Sequence, residues 1–252
     1  MNPEPLRRLV GAPNAGAFAT THWSVVVTAG SLDSAAANAA MAELCERYWY
    51  PLYAFLRQQN RSSEDAQDLV QGFFARVLQS PTWLAQVTPE RGRFRSWLLA
   101  SLRHHQADER DRALALKRGG GATVVPLDAL DAESRYQLEP ADPRSPEQLY
   151  DRRWALTVLG EALNQLRRDY DQAGKAPVFE VLQQTLPGGS GDLAYDAIAS
   201  ALGMTEGAVK VAVHRLRQRY REIVRDLVAQ TLENPGVVEA ELEHLMAALS
   251  PS

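Results

Sequence analysis

A chain of 252 residues with 45% hydrophobic content is long enough for one large core or two small ones. Its formal charge of −4 argues against an indiscriminate nucleic-acid coat, and its one cysteine, Cys45, excludes an internal disulfide or a cysteine-rich zinc site. No apolar run approaches the roughly 20 residues of a membrane span, and the opening residues, with Pro3, Glu4 and Pro5, do not resemble a signal peptide; the expectation is a soluble protein of the reducing cytoplasm, with no membrane partner and no cofactor.

Strand signals are nearly absent and apolar residues recur at helical spacing. The expected fold class is therefore all-α: two helical domains joined by an acidic linker, the second a helix-turn-helix domain. After a tail over residues 1–19, a first body is expected over 20–116. Runs at Ala35–Tyr48, Tyr50–Gln58, Glu64–Leu78 and Arg95–Leu114 each suit a helix. Asp33 or Ser34 suits the cap of the first and Ser62 or Ser63 that of the third, while Pro51 is expected to open the second, where its missing N–H costs little. Gly119-Gly-Gly121 ends this body. Residues 117–146 then carry Pro126, Pro140 and Pro143 among Asp128, Asp131, Glu133, Glu139 and Asp142, and their length favours an extended linker over a packed one.

The second body is expected over 147–231. Ser145-Pro-Glu-Gln148 puts proline at the first helical position with glutamate just after it, a start for a long helix toward Tyr170. Gly174 and Pro177 break that helix, and Val178–Leu186 gives a short one that stops at Pro187-Gly-Gly-Ser-Gly191. Residues 232–252 make a helical extension, with Asn234-Pro-Gly236 ahead of an amphipathic stretch, Val237–Leu249.

Between these lies the most telling stretch, Tyr195–Arg219. Ile198, Ala199 and Leu202 recur at helical spacing, Gly203 can take the left-handed conformation that ends a helix, and Thr205-Glu206 suits the start of the next. Ala208, Val209, Ala212, Val213 and Leu216 form the expected buried stripe, and Lys210, His214, Arg215, Arg217, Arg219 and Arg221 crowd the other positions. A basic outer face on the second helix of such a pair is what docking in a DNA major groove needs. The same pattern also describes a solvated face on an ordinary helical hairpin.

A second basic cluster gathers Arg91, Arg93, Arg95, Arg103, Arg110, Arg112, Lys117 and Arg118. His104, His105 and Asp108 within it raise the competing class, a metal-dependent hydrolase. The two histidines are adjacent and so point to different helix faces, and no nucleophilic triad, phosphate-binding glycine loop or pair of catalytic carboxylates emerges. Neither an enzyme nor a metal site is expected.

Three blocks, in this order, resemble a known family: Glu64-Asp-Ala-Gln-Asp-Leu-Val-Gln-Gly-Phe-Phe74, Phe94-Arg-Ser-Trp-Leu-Leu-Ala-Ser-Leu-Arg-His-His-Gln-Ala-Asp-Glu109 and Leu202-Gly-Met-Thr-Glu-Gly-Ala-Val-Lys-Val-Ala-Val-His-Arg215. They are similar to the extracytoplasmic-function sigma factors, the two-domain specificity subunits of bacterial RNA polymerase, and the similarity runs from about Thr20 to Asp226. It implies a protein that binds core RNA polymerase, through its clamp coiled coil and flap, and directs promoter recognition, promoter opening and transcription initiation.

Under that resemblance the first block meets the clamp. Asp65 and Asp68, three residues apart, share one helical face, and Gln71 adds a hydrogen bond at the same surface. The second block melts and reads the −10 element. Arg91, Arg93 and Arg95 would contact phosphates, Phe94 or Trp97 would stack on or line the pocket of a flipped base, and Arg103, His104, Arg110 and Arg112 would continue the basic face; core packing is the competing role for Trp97. The third block reads the −35 element, with Thr205, Lys210, Val211, His214 and Arg215 at bases and phosphates and Arg217 and Arg219 at the backbone.

The chain departs from the family's pattern at Gly72 and Gln67, where relatives often carry acidic residues, and at His104, Val211 and Ala212. Two readings of the acidic linker stay open: a mimic of nucleic-acid charge inside polymerase, or a solvated tether. The depleted acidic face points to Ser62 and Ser63, either as helix caps or as phosphorylation sites for a Ser/Thr kinase, and an anti-sigma factor is a further candidate partner. The alternative function is a stand-alone helix-turn-helix regulator that binds duplex DNA without polymerase.

Overall fold

The computed structural model describes residues 23–29, 35–79, 94–115, 129–139, 142–186, 195–232 and 234–250, and these form helices and turns with no strand among them. The helices are α1 (Trp23–Ala29), α2 (Ala35–Gln58), α3 (Ser63–Gln79), α4 (Phe94–Ala115), α5 (Ala129–Gln137), α6 (Pro146–Gln172), α7 (Ala176–Leu182, continued by a 3-10 turn Gln183–Thr185), α8 (Tyr195–Leu202), α9 (Glu206–Gln230) and α10 (Val238–Leu249).

α2 is one continuous helix with Pro51 inside it, where the sequence had suggested a break and a fresh start. Pro51 forfeits a backbone hydrogen bond, a loss that local propensity cannot absorb. Burial does so instead: every residue from Tyr48 to Leu56 is buried. A helix apolar on all sides needs neighbours on all sides, and α1, α3, α5 and α6 all pack against it.

The ends of several helices follow from their capping residues. Ser62 Oγ accepts from the Asp65 N–H at 3.0 Å to start α3. Ser145 and Gln148 form a reciprocal capping box at α6, with Pro146 beside it. Gly174 and Gly203, both at positive φ, end α6 and α8, and the next N–H reaches back to Tyr170 O at 2.8 Å and to Ala199 O at 2.9 Å. Asp33, Ser34, Gly119-Gly-Gly121 and Pro187–Gly191 lie outside the described residues.

α6, about 40 Å long, is the common support. It touches α2 on one side and α7, α9 and α10 on the others. Tyr53, Phe55 and Phe73 of the first body and Tyr150, Leu166 and Phe179 of the second belong to one contiguous buried cluster. Phe55 and Tyr150 meet edge to face at the junction, 6.3 Å between centroids.

The linker differs from its expected extended form over residues 129–139. α5 lies on α2, and its acids fasten it there. Arg57 donates to both carboxylate oxygens of Glu133 at 2.9 and 2.7 Å, and the Tyr53 hydroxyl donates to the same group. Tyr50 donates to Glu139 at 2.7 Å, and Arg153 of α6 pairs with Glu139 from the other side. The hydrogen bonds from Arg57 hold the Glu133 carboxyl below its usual range, against the opposing effect of burial. Asp142 pairs with Arg144 at 3.1 Å. Asp128 and the Asp131 side chain fall outside the described residues.

Candidate nucleic-acid interface

α9 presents its basic residues in two ways. Thr205 caps the helix, its Oγ accepting from the Ala208 N–H at 3.3 Å. Val209, Val213, Leu216, Ile223, Val224, Leu227 and Val228 are buried, and the Tyr220 hydroxyl donates to Leu159 O at 3.1 Å, tying the helix to α6. Ala208, expected in the buried stripe, is exposed in the first turn after the cap. The opposite face carries Lys210, Val211, His214 and Arg215, all exposed, Val211 by 51%. Those four occupy neighbouring positions at i, i+1, i+4 and i+5 and so share one face. Lys210 lies 6.0 Å from the ring of Tyr195 at the start of α8.

Arg217 and Arg219 stand at the two edges of that face and are engaged within the chain. Arg217 donates to the Thr185 carbonyl at 3.1 and 2.7 Å, and Arg219 donates to Asp169 at 3.1 and 2.9 Å and lies 3.6 Å from Glu222. Donating to the Asp169 carboxylate raises the Arg219 pKa further.

α3 turns a different chemistry outward. Glu64, Asp65 and Asp68 are exposed and Gln71 is half-buried beside them, while Ala66, Val70, Phe73, Phe74 and Val77 face inward. Ser62 is exposed and Ser63 half-buried at the head of this helix. Gly72 has a packing role that the sequence did not reveal: a Cβ there would lie 3.3 Å from Nε2 of buried His105. The absent side chain makes room for the His105 ring, which also packs on Phe73 at 5.9 Å.

α4 corrects two expectations. Phe94 is not free to stack on a base, because it is buried, edge to face with Tyr48 at 5.3 Å and stacked on half-buried Trp97 at 5.9 Å. Arg95 is not a solvent-facing phosphate contact. It is 4% exposed, 2.5 Å from Glu241 of α10 and 3.5 Å from Asp151 of α6, with its guanidinium 3.5 Å above the Trp154 ring. Its position on the first turn, directly under α6 and α10, puts it inside the junction. Arg103 is half-exposed and pairs with Glu147 of α6. His104, Arg110 and Asp111 are exposed, and Asp108 is held by Arg76 at 2.6 Å. Arg91 and Arg93 lie outside the described residues, as does the Arg112 side chain.

Glu147, Asp151, Trp154, Asp169, Thr185 and Glu241 are thus the residues that sequence reasoning missed around the basic groups. Each pairing bridges distant parts of the chain, and of the four acidic partners only the charge was visible in advance.

With the geometry in view, the similarities to known proteins follow the same blocks. Residues 44–113 match the Sigma-70 region 2 family, the segment that carries α3 and α4. Over 199 residues, 79% of this chain and 67% of its relative, the sequence is 26% identical to the ECF RNA polymerase sigma factor SigE of Mycolicibacterium smegmatis. Residues 44–113 thus carry a Sigma-70 region 2 match, and the longer similarity is to an ECF sigma factor. No solved structure matches it.

The region 2 match runs across α2 to α4, so the exposed Asp65/Asp68 face and the α4 arginines sit on the matched segment. Among the described residues no group of three or more metal-ligating side chains converges, and no helix is long and apolar enough to cross a membrane.

Proposed function

We propose that this protein is an ECF sigma factor that binds core RNA polymerase through the acidic face of α3 and reads promoters with two separate basic helices. The Sigma-70 region 2 match and the likeness to an ECF sigma factor support the role itself: binding core RNA polymerase and directing promoter recognition and initiation. The observation that best supports the division of labour is the exposed, single-faced cluster Lys210, Val211, His214 and Arg215 on a helix capped by Thr205 behind a glycine turn. Such a helix can enter a major groove by its N-terminal half, with Val211 offering an apolar contact to a thymine methyl.

In this reading residues 20–116 form the clamp and −10 unit, 117–146 the linker, and 147–231 the helix-turn-helix unit for the −35 element. Asp65 and Asp68, with Gln71 beside them, would meet arginines of the clamp coiled coil, and the second unit the flap. His104 and Arg110 give α4 an accessible basic track for the displaced strand, with Arg103, once released from Glu147, and Arg91, Arg93 and Arg112 extending it. Regulation belongs to the same proposal. An anti-sigma factor would cover the exposed faces of α3 or α9, and a Ser/Thr kinase acting on Ser62 or Ser63 would add roughly two negative charges at the head of α3.

The test is transcription from a genomic promoter library by core bacterial RNA polymerase, with and without the protein. New start sites preceded by one shared pair of spaced motifs are expected. The double variant Asp65→Ala/Asp68→Ala should lower their yield roughly tenfold or more, as loss of charge pairs at an interface does. Absence of new starts, together with protection of a palindromic duplex by the protein alone, would replace this function with that of a stand-alone regulator.

A further inference from the structure

α10 carries an acid in the middle of its buried stripe. Val238, Glu241 and Leu245 are the buried residues of this helix, spaced to face one way, and Glu241 is only 2% exposed. A carboxylate at such a site costs several kcal/mol to desolvate unless a cation meets it there, and Arg95 does, at 2.5 Å. The apolar residues would dock on any greasy surface. Glu241 specifies one place: the first turn of α4.

The rest of the junction repeats this choice. Glu147 and Asp151 lie four residues apart on one face of α6, and they take Arg103 and Arg95 of α4 in antiparallel register. His244 of α10 lies 3.2 Å from Asp151, and the Tyr150 hydroxyl donates to the Arg95 carbonyl at 3.3 Å. Carboxylates of α6 and α10 therefore take up two of the arginines that the sequence reading had assigned to the phosphate-binding edge of α4. The outer fastenings of α10 are weaker. Arg225 to Glu239 is an exposed pair, and Arg152 and Arg144 reach the Leu249 and Ser250 carbonyls at only 3.3 and 3.5 Å.

From this geometry we propose that α10 is an intramolecular latch. With α6 it holds the Arg95 end of α4 closed in the free protein, and promoter engagement requires its release. The latch rests on the sigma-factor function proposed above and names a control that function does not itself require. A chain whose competent state is only partly populated binds with an apparent affinity reduced by that fraction, so loosening the latch should strengthen initiation.

The test compares the full-length protein with Glu241→Gln, which keeps the shape and removes the charge, and with a chain ending at Leu232. Each is assayed with core RNA polymerase on a library-derived promoter at subsaturating protein. Amide exchange over residues 94–102 of the free chain is measured in parallel. The latch predicts roughly tenfold more initiation at unchanged start sites for both variants, and roughly tenfold faster exchange in Glu241→Gln. Initiation by the wild type with no gain in either folded variant would overturn the latch and leave the sigma function standing. If no form initiates, the sigma function itself fails and takes the latch's role with it.

Discussion

The two basic helices of this protein are built alike and presented differently. α9 buries an apolar stripe and leaves Lys210, Val211, His214 and Arg215 in solvent, whereas α4 turns Arg95 into a junction where it is 4% exposed and commits Arg103 to Glu147. The difference teaches that a count of arginines does not give a binding face. What matters is whether the chain supplies its own carboxylates first. Around its exposed face α9 meets internal partners at the edges, through Asp169 and the Thr185 carbonyl, and farther along it pairs Arg225 with Glu239; α4 meets carboxylates at its base, from two other helices.

The largest effect should come from the junction itself. Trp154 is buried, carries Arg95 on its ring and belongs to the cluster that unites the two bodies. Trp154→Ala should cost about 3–5 kcal/mol, read as a lower denaturant midpoint. Because the core is continuous, signals from both bodies should shift together. Separate transitions, with only one of them moved, would break the comparison, since the α4 side would then not depend on α6.

A smaller effect should separate the face of α9 from its edges. Arg215→Ala should weaken binding of promoter DNA by the holoenzyme and reduce the slope of log affinity against log salt by about 1, as loss of one phosphate contact does. Arg217→Ala should change the slope less, because that guanidinium is held on the Thr185 carbonyl. Equal slopes for the two variants would mean that the edge residues are as available as the face.

The smallest effect concerns the linker helix. Hydrogen bonding holds Glu133 below its ordinary 4.5 in the folded chain. Its stabilising contribution is then complete above the unfolded value and is lost as pH falls through the lower, folded one. α5 should loosen from α2 in that acid window, seen as faster amide exchange over 129–137. Glu133→Gln should speed exchange at neutral pH and flatten its response to acid. A variant whose response matched the wild type would remove Glu133 as the fastening.

Much of this was legible locally. The bounds of α3, the Ser145 capping box, the glycine that ends α8 and the Thr205 cap follow from residues within a turn of one another, and local chemistry decides them. What lay beyond reach was non-local. Pro51 reads as a helix opener until burial on every side of α2 is known, and Glu133 and Glu139 read as solvated charge until Tyr50, Tyr53, Arg57 and Arg153 arrive from elsewhere. Arg95 reads as one more arginine in a basic run, since nothing within ten residues announces Glu241. Gly72 is similar: an apparent gap in an acidic face is the space that the His105 ring needs.

The most direct measurement is photo-crosslinking from single positions in the assembled promoter complex. Crosslinking residues are placed at Arg103 on α4 and at His214 on α9, and the attachment sites are mapped on promoter DNA. The account predicts that His214 crosslinks duplex in the upstream motif and Arg103 crosslinks the separated strand of the downstream motif. Attachment of both to the same duplex segment, or capture of His214 by protein alone, would contradict the assignment of the two helices to two promoter elements.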